Sequence, residues 1–182
     1  TGIGANAPST FTVSGTTATK QRCVKWNVAD GGNDHTYCSY TLANGSNFND
    51  SFQAIKNING YMVTIVSKKE WDFVRNNVIN DGKSLGGTNL NQAIWLGYVK
   101  FATPGNLTHK YHWITNESWE NNWSNNATVQ HNFDTNQPES AASNTNSVCT
   151  YVQTSSSTSR LWSSQACTAT TNMTNLIVEF NQ

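Results

Sequence analysis

Apolar residues recur along this chain in two rhythms. Val24, Trp26 and Val28 alternate with polar neighbours, and Thr36–Tyr40 returns after the turn-forming stretch Asp30-Gly-Gly-Asn-Asp34. That period of two predicts a hairpin from Cys23 to Tyr40. Asn49-Asp50-Ser51 then starts a helix, with Ser51 or a neighbour as cap, Phe52, Ile55 and Ile58 at helical spacing and Asn59-Gly60 as the stop. The apolar run Tyr61–Val66 is rich in β-branched residues and predicts a buried strand. Next comes Ser67-Lys-Lys-Glu70, a capping box that opens a second helix with Trp71, Val74 and Val78 on its apolar face.

Further on, residues 81–91 are rich in Gly and Asn and predict a loop. Ala93–Tyr98 predicts a strand in which Gly97 permits close backbone approach. Pro104-Gly105-Asn106 predicts a turn and Lys110–Thr115 the next strand. Residues 117–146 show almost no periodicity, and a loop of about thirty residues in a compact domain is usually functional. Val148–Gln153, Leu161-Trp162 and Leu176–Phe180 predict the closing strands, the last with a run suited to a central position. At the other end, residues 1–20 hold mostly Gly, Ala, Ser and Thr. They predict an arm or linker to an upstream region, with a strand at Thr10–Val13 at most. Residues 21–182 then form one domain.

Composition narrows the function. The chain has 182 residues, with 11 Lys plus Arg against 11 Asp plus Glu. That balance argues against general nucleic-acid or anionic-membrane binding, which needs a basic excess. No apolar run approaches the roughly 20 residues of a membrane span, so no membrane insertion is expected. Cys23, Cys38, Cys149 and Cys167 lack CxxC spacing, which speaks against a metal site. Three disulfide connectivities exist, of which pairing within each cluster is the simplest, and disulfides imply an oxidising, secreted or cell-surface setting. The chain carries no Gly-x-Ser-x-Gly, His-Glu-x-x-His, P-loop or dinucleotide fingerprint, and Asp134 and Glu139 are too isolated for an acid/base pair. Binding, not catalysis, is the expected role.

Four fragments in one order carry a resemblance. Trp95-Leu96-Gly97-Tyr98 is followed by Tyr111-His112-Trp113, then by Trp123 with Gln137-Pro138-Glu139, then by Trp162 and Cys167. In this order they resemble the C-type lectin-like domain over about residues 35 to 182. The resemblance implies an α+β fold, two helices packed on mixed antiparallel sheets with a long loop region. The disulfide-closed hairpin at Cys23–Cys38 is similar to the family's long form. The family's long-range disulfide positions fall near Ile55 and Val178, an apolar pair here; many bacterial members lack those cysteines, so the resemblance implies a bacterial or phage origin.

The family's calcium-dependent sugar site is only partly present. Gln137-Pro138-Glu139 keeps the loop triplet, but the strand motif is Trp162-Ser163-Ser164, which lacks the amide and carboxylate oxygens that calcium needs. The resemblance therefore implies a glycan-binding adhesin module that is calcium-independent or weakly calcium-linked, with no cofactor expected at the usual site. Candidate ligand contacts are Trp119, as a stacking platform for sugar rings, with Asp134, Asn136, Gln137 and Glu139. Lys68, Lys69, Lys100 and Lys110 are candidates for sulfated polysaccharides such as glycosaminoglycans. The alternative is a protein-binding tip, as in invasins and phage tails. Carried on a stalk, like the heads of bacterial collagen-like adhesins, the domain would form a homotrimer.

Overall fold

The small residues near the N-terminus form the edge of the sheet. In the computed structural model, which describes residues 6–80, 89–101, 111–120, 123, 131–138 and 146–182, β1 (Thr10–Val13) pairs antiparallel with β2 (Thr16–Lys25). Ser14 and Gly15 turn the chain with φ 47° and 82°, a backbone that glycine enters without strain. Ala7, Val13 and Ala18 are buried, and the Tyr40 hydroxyl donates to the Pro8 carbonyl at 2.7 Å. β2 continues through residue 21, where its register with β3 shifts.

β2 pairs with β3 (Thr36–Leu42), which places Cys23 opposite Cys38, and the two form a disulfide. β3 pairs in turn with β9 (Asn175–Phe180), the central strand that the apolar run predicts. Beyond it lie β5 (Ile94–Lys100), β7 (Val148–Val152) and β8 (Trp162–Ala166), in the order β1-β2-β3-β9-β5-β7-β8. The short strands β4 (Tyr61–Met62) and β6 (His112–Trp113) attach to β9 and β5. A second disulfide joins Cys149 on β7 to Cys167 just after β8. Both disulfides thus follow the pairing within clusters.

Two helices cover the sheet. α1 (Phe48–Asn57) starts earlier than its apolar spacing suggests, because Asn47 caps it by accepting from the Asp50 N–H at 2.8 Å. Ser51, the expected cap, is buried instead and donates to the Ser46 hydroxyl. α2 (Lys68–Phe73) opens on Ser67, which accepts from the Glu70 N–H as the capping box requires. It continues through a π-helical turn, Val74–Ile79, and stops at Asn80 with φ 66°. The core forms two apolar clusters. One gathers Phe48, Ile55, Trp95 and Val178, so the apolar pair at Ile55 and Val178 shares one cluster. The other gathers Trp71, Trp113, Trp123 and Trp162.

Gly97 makes the close approach expected of it, since a Cβ there would lie 2.8 Å from the Ile114 side chain and 3.1 Å from the Met62 carbonyl. Gly45 is tighter, with 1.8 Å between such an atom and the Thr170 carbonyl oxygen. Gly45→Ala is therefore expected to cost about 1–3 kcal/mol, read as a lower urea midpoint with an unchanged slope.

Candidate functional site

The long loop begins where β6 leaves β5. Tyr98 on β5 lies opposite Trp113 on β6, and the chain turns at Asn116, φ 62°, before reaching Trp119. Tyr111 stacks on Tyr98 with centroids 5.4 Å apart and ring planes 17° apart. The Trp119 indole N–H donates to the Tyr98 hydroxyl, whose pKa burial pushes up. These rings bound a cleft of about 300 Å3. Tyr98, Tyr111, Trp113 and Trp119 supply its aromatic wall, and His112, Asn116, Glu117 and Ser118 its polar groups. The arrangement offers flat apolar area beside neutral and anionic hydrogen-bonding groups, which suits a polyhydroxylated ring better than an anion.

Trp119 itself is not a free stacking platform. His131 stacks on it at 3.6 Å and 19°, and Trp162 lies nearly parallel at 6.3 Å and 26°. Burial holds the His131 imidazole below its ordinary pKa, which favours the neutral ring in that stack. Trp119 anchors the loop and borders the cleft, while stacking area falls to Tyr98 and Tyr111. Trp123 is buried in the same aromatic group, the core position expected of it.

The returning limb of the loop lies against β8. Phe133 bridges to Trp162, and the Asp134 N–H donates to the Trp162 carbonyl at 2.8 Å. Asp134 accepts from the Gln153 amide and the Thr135 N–H, which together hold its carboxyl below the usual value. The Gln137 side-chain Oε1 accepts from both the N–H and the hydroxyl of Ser164, so it closes the loop onto β8. The Gln137–Pro138 bond is cis. Asn136 is exposed, and Glu139 lies outside the described residues. None of Asp134, Asn136 and Gln137 borders the aromatic cleft. Among the described residues, no three acidic, His or Cys side chains come together to hold a metal ion.

The four candidate lysines fall in different settings. Lys68 and Lys69 are exposed, and Lys68 pairs with Asp72 at 2.8 Å. Arg75, beside them in sequence, donates to the Thr158 carbonyl at 2.7 Å. Lys100 is fully buried, because β5 is flanked by β9, β6 and β7 and covered on both faces; it leaves the set of surface cations. Lys110 lies outside the described residues.

One cluster escaped the sequence reading. Glu179, buried on β9, accepts from the Tyr61 hydroxyl at 2.7 Å, from the Thr64 N–H at 3.1 Å, and contacts His35 Nδ1 at 2.6 Å. Glu70, also buried, accepts from the Tyr37 hydroxyl and the Val66 N–H. The available signal was the acid at the end of Leu176-Ile-Val-Glu179, set in an otherwise apolar central strand.

The sequence matches no known family model and no curated protein. Among solved structures, the chain is similar to one described as the SPL-1–GlcNAc complex. The two share 20% identity over 80% of this chain and 88% of that one, with a TM-score of 0.51. Also similar are the C-type lectin carbohydrate-recognition domain of a mouse scavenger receptor (15% identity, 79% and 87% covered, TM-score 0.48) and a calcium-independent type II antifreeze protein (13% identity, 79% of this chain covered and 85% of that one, TM-score 0.47). At such identities the likeness is one of fold. With its two helices, mixed sheet and N-terminal disulfide, this chain has the C-type lectin-like fold.

Proposed function

We propose that this protein is a carbohydrate-binding module of a secreted or surface-displayed protein, and that its sugar sits against Tyr98 and Tyr111. The observation that carries this reading is the cleft itself. It sets two tyrosine rings, each covering one face of the other and leaving the remaining ring area to meet the apolar face of a pyranose, beside Asn116, Glu117 and Ser118, which can meet the hydroxyls. A glycan in the similar SPL-1 structure supports the choice of N-acetylglucosamine as the first ligand to try. Calcium plays no part in this contact. Lys68 and Lys69 remain candidates for sulfated polysaccharides, and Asp134, Asn136, Gln137 and Glu139 for a separate contact on the loop. The adhesin role, a bacterial or phage source and a stalk-borne homotrimer rest on the resemblance alone.

A glycan array with calcium and with chelator, at low and high salt, tests the reading. Hits on neutral glycans that survive chelator and salt are expected. Hits confined to sulfated glycans and lost at high salt would replace the cleft with the lysines. A blank array would move the function to a protein receptor. Tyr111→Ala is expected to weaken a neutral hit about tenfold, since a lost aromatic stack costs about 0.5–1.5 kcal/mol, and to lower Tm modestly because the ring also stacks on Tyr98.

A further inference from the structure

A second cleft lies on the other side of Glu117. It encloses about 360 Å3, with Phe52, Tyr61 and Ile114 on its apolar side and His35, Lys56 and Glu117 among its polar groups. The chain itself links the two clefts. Ile114 and Thr115 line this one, Asn116, Ser118 and Trp119 line the aromatic one, and Glu117 borders both.

The second cleft has a fixed floor. Buried Glu179 receives the Tyr61 hydroxyl and holds His35 through Nδ1, while the Tyr61 oxygen lies 3.0 Å from the same nitrogen. The His35 side chain is 24% exposed, and its Nε2 has no protein partner among the described residues. Burying Glu179 is costly, and its hydrogen bonds immobilise the two side chains that face this cleft. Lys56 is opposed by Glu117 on the same lining, so the cleft offers no single strong sign of charge to a ligand. What remains is ring area beside donors and acceptors, the same chemistry as the first cleft.

We infer that the binding surface has two subsites flanking Glu117, and that its ligand is a neutral oligosaccharide spanning both rather than a single terminal sugar. This rests on the carbohydrate reading above. Each subsite alone contributes weakly, and a chain long enough to occupy both gains affinity because the second contact is intramolecular.

The test is a titration of the whole protein, followed by NMR, with linear glucose, mannose and N-acetylglucosamine oligomers of one to six rings. The reporters are the Trp119 indole proton for the first subsite and the His35 ring protons for the second. In one series the monomer is expected to move Trp119 alone. Longer chains move both, and affinity rises about tenfold or more before it levels off. Lys56→Ala, an exposed change on the second cleft and not on the lining of the aromatic one, should reduce that gain while leaving monomer affinity unchanged. Affinity flat from one to six rings, or His35 unmoved at saturation with the hexamer, overturns the two-subsite inference and leaves the carbohydrate reading intact. No shift at either reporter with any series overturns the carbohydrate reading, and the inference with it.

Discussion

Replacing Trp162 with alanine is expected to remove about 3–5 kcal/mol of folding stability, a large share of the 5–15 kcal/mol that domains typically have. Trp162 is fully buried and sits where the second cluster converges. Its ring lies edge-on to Trp71 of α2 at 5.4 Å, to Phe133 at 5.4 Å and to Trp123 at 5.6 Å. One side chain therefore joins the second helix, the closing strands and both limbs of the long loop. A cavity there cannot be refilled by a single neighbour, because those neighbours are rings held by other rings. Chemical denaturation measures the loss, and near-UV circular dichroism should weaken with it. A cost below about 1 kcal/mol would mean that this cluster does not anchor the loop. Trp162→Phe, which keeps a ring, should cost distinctly less.

Raising the pH from about 5 to about 8.5 is expected to destabilise the protein by several kcal/mol. Burial, and then the charge of Glu179, push the Glu70 carboxyl up to about 8, against the pull of its hydrogen bonds from Tyr37 and Val66. An unfolded chain releases that proton near the ordinary carboxylate value of about 4.5. Between those values the folded protein holds a proton that the unfolded chain has lost, so stability falls as pH rises. The contribution is complete below about 4.5 and gone once the pH passes the folded value. Glu179 shifts in the same direction through burial, partly offset by its hydrogen bonds from His35 and Tyr61. His35 is raised by its hydrogen bond to Glu179, against its own burial, with further help from the charges of Glu179, Glu117 and Asp34. Its contribution is likewise lost as pH rises. Asp134 works the other way, but it is exposed to solvent screening and adds little. A tenfold change in proton affinity is worth about 1.4 kcal/mol, so a fall of roughly 10 °C in Tm is expected. Glu70→Gln should remove most of that slope. A wild-type Tm that stays flat, or a variant that keeps the full slope, would contradict this assignment.

Local signals were legible and tertiary ones were not. Ser67 and Glu70 announce the second helix because a cap involves neighbouring residues, and the alternation of Val24, Trp26 and Val28 follows from one strand having one wet face. The start of α1 lies slightly before Asn49-Asp50-Ser51, with the cap at Asn47. A polar run holding Asn47, Asn49, Asp50 and Ser51 offers many caps, and only the burial of Phe48 selects Asn47. The N-terminal strands looked like an arm because Ala7, Val13 and Ala18 are small, yet β3 and the core supply the surface that buries them. Lys100 reads as solvated because charge predicts exposure, and neither a strand's position in the sheet nor its partners is visible in one dimension. Trp119 lies in the long loop as expected, but its stacking partner His131 is twelve residues away. The cleft is assembled from β5, β6 and the turn after them, so no single segment could display it.

The central claim is that sugar meets the tyrosine pair and not the end of β8. A crystal structure with the tightest neutral glycan from the array tests it most directly. Ring density against Tyr111 and Tyr98, with hydroxyls on Asn116, Glu117 or Ser118, is the expected result. A sugar held instead at Gln137 and Ser164, with the tyrosine cleft empty, would contradict it.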